Sequence, residues 1–155
     1  MKFSTKEDIE APIDGVFEML CDFEAFERSA MRRGAEVQRV DKLREPGVGM
    51  QWEAAFEMRG KRRELHLETI TFERPHEIVV ESTSQGLVAL MTLELMALSR
   101  GRTRISTALE IKPLNLSARL LVQSLKLAKA SLTRKYKLRI SEYAKGMEER
   151  YQRAV

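Results

Sequence analysis

Cysteine and histidine are nearly absent from this chain. A single cysteine, Cys21, rules out an intramolecular disulfide, and low cysteine usage suits a reducing compartment. The two histidines, His66 and His76, are too few and too isolated for a zinc site, which draws three or four clustered ligands. No metal and no cofactor is therefore expected. No apolar run approaches the ~18 residues of a membrane span; the best is Leu87-Val88-Ala89-Leu90-Met91. The start, Met1 to Asp8, is charged where a signal peptide would be apolar, so a cytoplasmic location is expected. Gly47-Val48-Gly49 lacks the Lys-Ser/Thr of a phosphate-binding loop. Repeats and low-complexity segments are missing too.

What is present is ordinary globular material. Hydrophobic residues make up 43% and charged residues 32% of 155, the balance of a chain that folds around one core. A single domain over residues 1–155 is the expectation. The net charge of +4 is unevenly spread. Residues 112–155 carry eleven Lys/Arg against three Glu, a charge of +8, and residues 1–111 carry −4. Such a basic end attracts anionic surfaces, or it is a solvated helix face docked on an acidic body.

Periodicity supplies the elements. Residues 2–10 read as a strand. Ala11-Pro12-Ile13-Asp14 breaks it and starts a helix, with Pro12 near the first helical position, where a missing N–H costs nothing. Val16, Phe17, Leu20 and Cys21 recur at helical spacing, and Phe23 and Phe26 begin a second short helix that Gly34 ends. Residues 36–43 read as a strand and 45–49 as a loop. The clearest strand alternates Met50, Trp52, Ala54, Phe56 and Met58 against Gln51, Glu53, Glu57 and Arg59. Gly60-Lys61 turns the chain back into Leu65, Leu67 and Thr69 on one phase, then Ile70 and Phe72 on the other. That one-residue slip predicts a β-bulge near Thr69. Residues 77–84, 87–98 and 103–111 complete seven strands. From Asn115 or Ser117, either able to cap, one uninterrupted helix is expected. Its stripe is Leu121, Leu125, Ala128, Leu132, Tyr136, Ile140, Tyr143 and Met147.

The order is strand, two short helices, six strands, long helix. This predicts an α+β fold: a curved seven-stranded antiparallel sheet with the long C-terminal helix across its concave face. A twisted sheet curls away from a straight helix, so space is expected between them. The chain resembles the SRPBCC superfamily, also called START-like or helix-grip, which includes polyketide cyclase/dehydrase and lipid-transport families. The resemblance rests on four signatures in order. They are Ile9-x-Ala11-Pro12-x-x-x-Val16-Phe17-x-x-Leu20-x-Asp22; Gly47-Val48-Gly49-Met50-x-Trp52; Glu68-x-Ile70-x-Phe72-x-x-Pro75-x-x-Ile78; and Thr92-x-Glu94-Leu95 followed by Gly101-x-Thr103-x-Ile105.

The resemblance implies a hydrophobic tunnel between sheet and helix. Its wall would be Trp52, Ala54, Phe56, Leu65, Leu67, Ile78, Val80, Ala89, Met91, Leu93, Ile105 and Thr107, with Leu121, Leu125 and Ala128 from the helix. The implied activity is binding or transport of a lipid-, quinone- or polyketide-like small molecule. One alternative is a cyclase/dehydrase-like enzyme in the same cavity. Another is a ribosome- or membrane-associated module using the basic helix. No catalytic residue is assigned: the inward polar groups, Thr69, Ser82, Thr107 and Ser124, are poor acids. Arg63 and Glu81 are expected to turn inward only if the register shifts by one. Cys21 reads as a small core residue, and Tyr136 and Tyr143 as phenols that each find one hydrogen bond. Lys129 and Arg139, at the margins of the stripe, are expected to extend to solvent, the alternative being to reach a ligand carboxylate. Specific nucleic-acid contact is not expected. Leu116, Leu120, Leu127 and Leu138 form a second apolar line, as do both faces of 87–91 and 95–98. These leave open a homodimer contact, a peripheral membrane contact, or cover by a loop or by the bend of the sheet.

Overall fold

The computed structural model describes residues 1–155. Seven strands form one antiparallel sheet: β1 (Lys2–Ile9), β2 (Glu36–Arg39), β3 (Gln51–Met58), β4 (Lys61–Glu73), β5 (Glu77–Ser84), β6 (Leu87–Ser99) and β7 (Arg102–Pro113). Their order in space is β1-β7-β6-β5-β4-β3-β2. Consecutive strands β2 to β7 therefore pair as a meander, and β1 adds to the far edge. Helices α1 (Ile13–Leu20) and α2 (Phe23–Arg32) follow β1, and α3 (Leu116–Lys126) and α4 (Lys129–Ala154) follow β7. None is long and apolar enough to cross a membrane. This is the expected helix-grip architecture.

The pairing register decides which side chains share the inner face, because directly paired residues point the same way. From β3 it runs Trp52↔Leu67 and Ala54↔Leu65, Leu67↔Ser82 and Thr69↔Val80, Val80↔Met91, Met91↔Leu109 and Leu109↔Phe3. The register shift falls between Thr69 and Thr71. Ile70 is the extra residue and is 39% exposed, while Phe72 returns inward opposite Ile78.

Two expectations about local structure are corrected. The strand expected over 36–43 ends at Arg39. Asp41 takes over there: its carboxylate accepts from Arg39 Nε at 2.8 Å and from the backbone N–H groups of Leu43 and Gln51, each at 2.9 Å. A side chain thus replaces the strand ladder as the partner of the loop backbone. The single C-terminal helix is two. Asn115 caps α3, accepting from Ala118 N–H at 2.8 Å, and the helix gives way at Leu127–Ala128, where Ala128 N–H bonds back to Leu125 at 3.0 Å. No Pro or Gly marks the break. Its cause is tertiary: α3 packs on β7, while α4 packs along β1 and α1.

The buried core is polarised. Ile9, Val16, Phe17, Leu20, Ile78, Leu95, Ile105, Ala144 and Met147 form one cluster where α1 and the second half of α4 meet the sheet. Phe17 meets Phe72 edge to face at 5.4 Å. At the opposite end, the β5–β6 turn holds the start of α3. Gly86 accepts from Leu114 N–H at 2.6 Å. Its φ is +78°, and a methyl group there would lie 2.2 Å from the Asn115 amide.

Two outcomes follow for stability. Gly86→Ala forces an unfavourable φ and pushes on the helix cap, so it should cost about 1–3 kcal/mol in denaturant unfolding. A cost below a few tenths would contradict the turn–cap contact. The Arg39 guanidinium and two backbone N–H groups hold the Asp41 carboxyl well below the usual carboxylate range. A lowered folded pKa means the stabilisation is complete above the unfolded-chain value of about 3.9 and is lost as pH falls below it. Asp41→Asn should therefore lose about 1–2 kcal/mol at neutral pH and unfold less steeply with acid than the parent. Identical acid profiles would contradict this.

Candidate functional site

The candidate site is the inner face of the sheet beneath α3. Of the fourteen residues Trp52, Ala54, Phe56, Leu65, Leu67, Ile78, Val80, Met91, Leu93, Ile105, Thr107, Leu121, Leu125 and Ala128, the eleven on strands all share this face by register. Ile78, Ile105, Trp52 and Thr107 are buried, at 2%, 1%, 5% and 3% exposure. Ile78 and Ile105 belong to the packed cluster and close off that end. The other ten stay half-buried, although apolar side chains on the inner face of a helix-covered sheet would normally be sealed. Ala89 is half-buried among them. These apolar side chains are therefore only partly covered, from Phe56 and Leu65 to Met91 on the sheet and at Leu121 and Leu125 of α3, whose own buried residues are Ala118 and Val122.

The wall has fixed margins. At one side Trp52 donates from its indole N–H to Glu27 of α2 at 2.9 Å, packs against Phe23 at 5.6 Å and lies under the Arg39 guanidinium. At another, Arg59 at the β3–β4 hairpin tip bonds the Ser124 hydroxyl of α3. Strand hairpin and helix thereby close one end. Ser124 consequently faces the hairpin and not the centre of the wall. Thr107 and Tyr136 share a 2.6 Å hydrogen bond beneath α4, and burial pushes the Tyr136 phenol up despite that bond.

Ionisable groups on this face differ from expectation. Arg63 is not an outer-face residue awaiting a register shift. It lies two and four residues before Leu65 and Leu67, pairs with Phe56 and so points inward. Counting in twos along the sequence identifies it. Its Nε is buried with no acceptor. No carboxylate lies within salt-bridge distance, in contrast to Arg39, Arg62, Arg74, Arg102, Arg104 and Arg150. Thr69 Oγ1 on the same strand is also buried and unbonded. Glu7, missed in the sequence, is inward too, opposite Ile105. Arg63 and Glu7 are four strands apart, about 19 Å on strand spacing alone. They do not form a proton-transfer pair. Glu81 stays on the outer face, opposite Glu68.

The remaining candidates sit elsewhere. His66 bonds Glu53 at 2.6 Å on the outer face, and His76 is exposed in the β4–β5 turn. Cys21 is half-buried, and burial raises its thiol pKa, which disfavours the nucleophilic thiolate. Lys129 and Arg139 are exposed. No group of three His, Cys, Asp or Glu side chains converges. A depression of about 410 Å³ lies on the outer face of β2–β4, lined by Glu36, Glu53, Arg62 and Glu64. Another of about 440 Å³ wraps the sheet end at the β5–β6 turn and takes in Leu65, Ser84, Leu87 and Leu114.

Comparison with solved structures agrees with this geometry. TTHA0849 from Thermus thermophilus superposes with a TM-score of 0.68 at 16% identity, covering 99% of both chains. The Zhui aromatase/cyclase of a Streptomyces species gives 0.61 at 10% identity over 86% of this chain and 89% of its own. Ara h 8.0201 gives 0.53 at 14% identity over 86% and 93%. The chain thus shares the helix-grip fold of these structures. No family model matches the sequence, and no curated protein does.

The Thr107–Tyr136 bond should contribute modestly to holding α4 on the sheet. Tyr136→Phe leaves a buried hydroxyl unpaired and should lower stability by about 1 kcal/mol. Tyr136→Phe with Thr107→Val together should cost less than the sum of the two single changes, measured by denaturant unfolding. Strict additivity would show that the two hydroxyls do not interact.

Proposed function

We propose that this protein binds an apolar or amphipathic small molecule, of lipid-, quinone- or polyketide-like character, between the inner face of the sheet and α3. The observation that carries the reading is the row of seven half-buried apolar residues, from Ala54 and Phe56 to Met91 and Leu93, on a sheet face that the fold turns toward its own helices. Covering them with a ligand would contribute roughly 25 cal/mol per Å² of apolar surface, less the cost of ordering the ligand. Met91 and Met58 on this face suit varied apolar shapes, because methionine is flexible and polarisable.

Arg63 sets the polarity of one end. A guanidinium on an apolar wall with no protein carboxylate beside it favours a ligand whose head is anionic, carboxylate or phosphate. Enzymatic turnover has less support: Glu7, an inward carboxylate, lies too far from Arg63 for the two to act on one reacting bond. The aromatase/cyclase that shares the fold is only 10% identical to this chain.

A fluorescent polyene fatty acid and its methyl ester test the reading. Both should bind at micromolar concentration, the acid about tenfold more tightly. Ala54→Phe, which fills the groove, should weaken both at least tenfold, by order of magnitude. Arg63→Gln should bring the acid down to the ester and leave the ester unchanged. Failure of both probes would reject the groove. Equal binding of acid and ester by the parent would reject the role of Arg63 alone.

A further inference from the structure

The outer side of α3 is as apolar as its inner side. Ala118 and Val122 face the sheet, yet Leu116, Leu120 and Leu127 are 73%, 59% and 91% exposed, with Leu114 just ahead at 68%. Leu127 retains helical backbone angles at the end of α3. At about 100° per residue, positions 116, 120 and 127 fall within roughly 40° of one another and form a single stripe. Isolated exposed leucines need no explanation; an aligned row along one helix does.

The charge around the stripe identifies what fits it. From Lys112 to Ser141 there are eight basic residues and no Asp or Glu. Lys112 is paired with Glu110 at 3.1 Å. Arg119, Lys126, Lys129, Arg134, Lys135, Lys137 and Arg139 make no salt bridge, whereas Arg39, Arg62, Arg102 and Arg104 on the sheet do. Arg119 and Lys126 lie about 60–80° round the helix from Leu116, along one border of the leucine stripe. A second copy of this chain is a poor occupant. A two-fold contact through α3 would set these cations against the same cations of the other copy. A nucleic acid would answer the charge but not the leucines. A surface both apolar beneath and negative on top answers both.

We propose that α3 is an interfacial helix that docks this protein on an anionic lipid bilayer, its leucine stripe in the acyl boundary and its cations among the headgroups. Docked this way, one side of the helix faces lipid and the other faces the groove. The inference rests on the outer side of α3 and stands without the groove reading.

Co-sedimentation with phosphatidylcholine vesicles, with and without about a quarter phosphatidylglycerol, tests it. The parent should bind the anionic vesicles at least about tenfold more strongly than the neutral ones, and rising salt should weaken that binding. Leu120→Glu with Leu127→Glu should reduce binding at least about tenfold without changing thermal unfolding, since neither residue is packed. Leu138→Gln, at a residue 58% exposed on α4 and off the stripe, should bind as the parent does. Absence of parent binding to anionic vesicles would overturn the proposal, as would a double variant that binds undiminished. A dimer that the same double variant dissolves, with no vesicle binding, would assign the stripe to a second copy instead.

Discussion

Everything in this molecule depends on how far its helices cover the inner face of the twisted sheet. The sheet turns a largely apolar face inward, because the register keeps Phe3, Leu109, Met91, Val80 and Leu67, on five successive strands, on the same side. The helices pack closely at one end only, where α1 and α4 close over Ile9, Ile78, Leu95 and Ile105. At the other end, α3 is held by its margins: Asn115 and Gly86 at the turn, and Arg59 and Ser124 at the hairpin. Between those fastenings the wall is only half covered. The packed core and the proposed binding wall thus fall at different ends of one face, and the wall is the less completely packed of the two.

Much of this was legible in the sequence. Alternation in residues 50–58 and 103–111 fixes two strands and their inward faces without ambiguity, and the phase slip between Leu67 and Phe72 marks the bulge that the structure places between Thr69 and Thr71. The ordered signatures pointed to the helix-grip architecture that the structure shows. The apolar wall followed, because residues paired across an antiparallel ladder share a face.

What was not legible has physical reasons. The break at Leu127–Ala128 falls in a run of good helix formers, and only the divergent packing of α3 and α4 reveals it. The short β2 was overextended, because a carboxylate replacing ladder bonds at Asp41 leaves no periodic trace. Arg63 was misplaced although its phase follows from Leu65, since a charged residue at the start of an apolar strand reads as its solvated end. Which apolar positions are sealed and which stay open depends on where the helices rest, and that is a tertiary property.

The central claim is that the half-covered wall under α3 is where an apolar molecule sits. Methionine methyl NMR during titration with a long-chain alcohol tests it most directly, because the methionines are spread over distinct environments. Met91 and Met58 lie on the inner face, Met147 is packed in the cluster, and Met31 and Met96 are about half exposed, Met31 on α2 and Met96 on β6. The account predicts saturable shifts for Met91 and Met58, with Met31, Met96 and Met147 unmoved. Saturable shifts confined to Met31 and Met96, with Met91 silent, would contradict it.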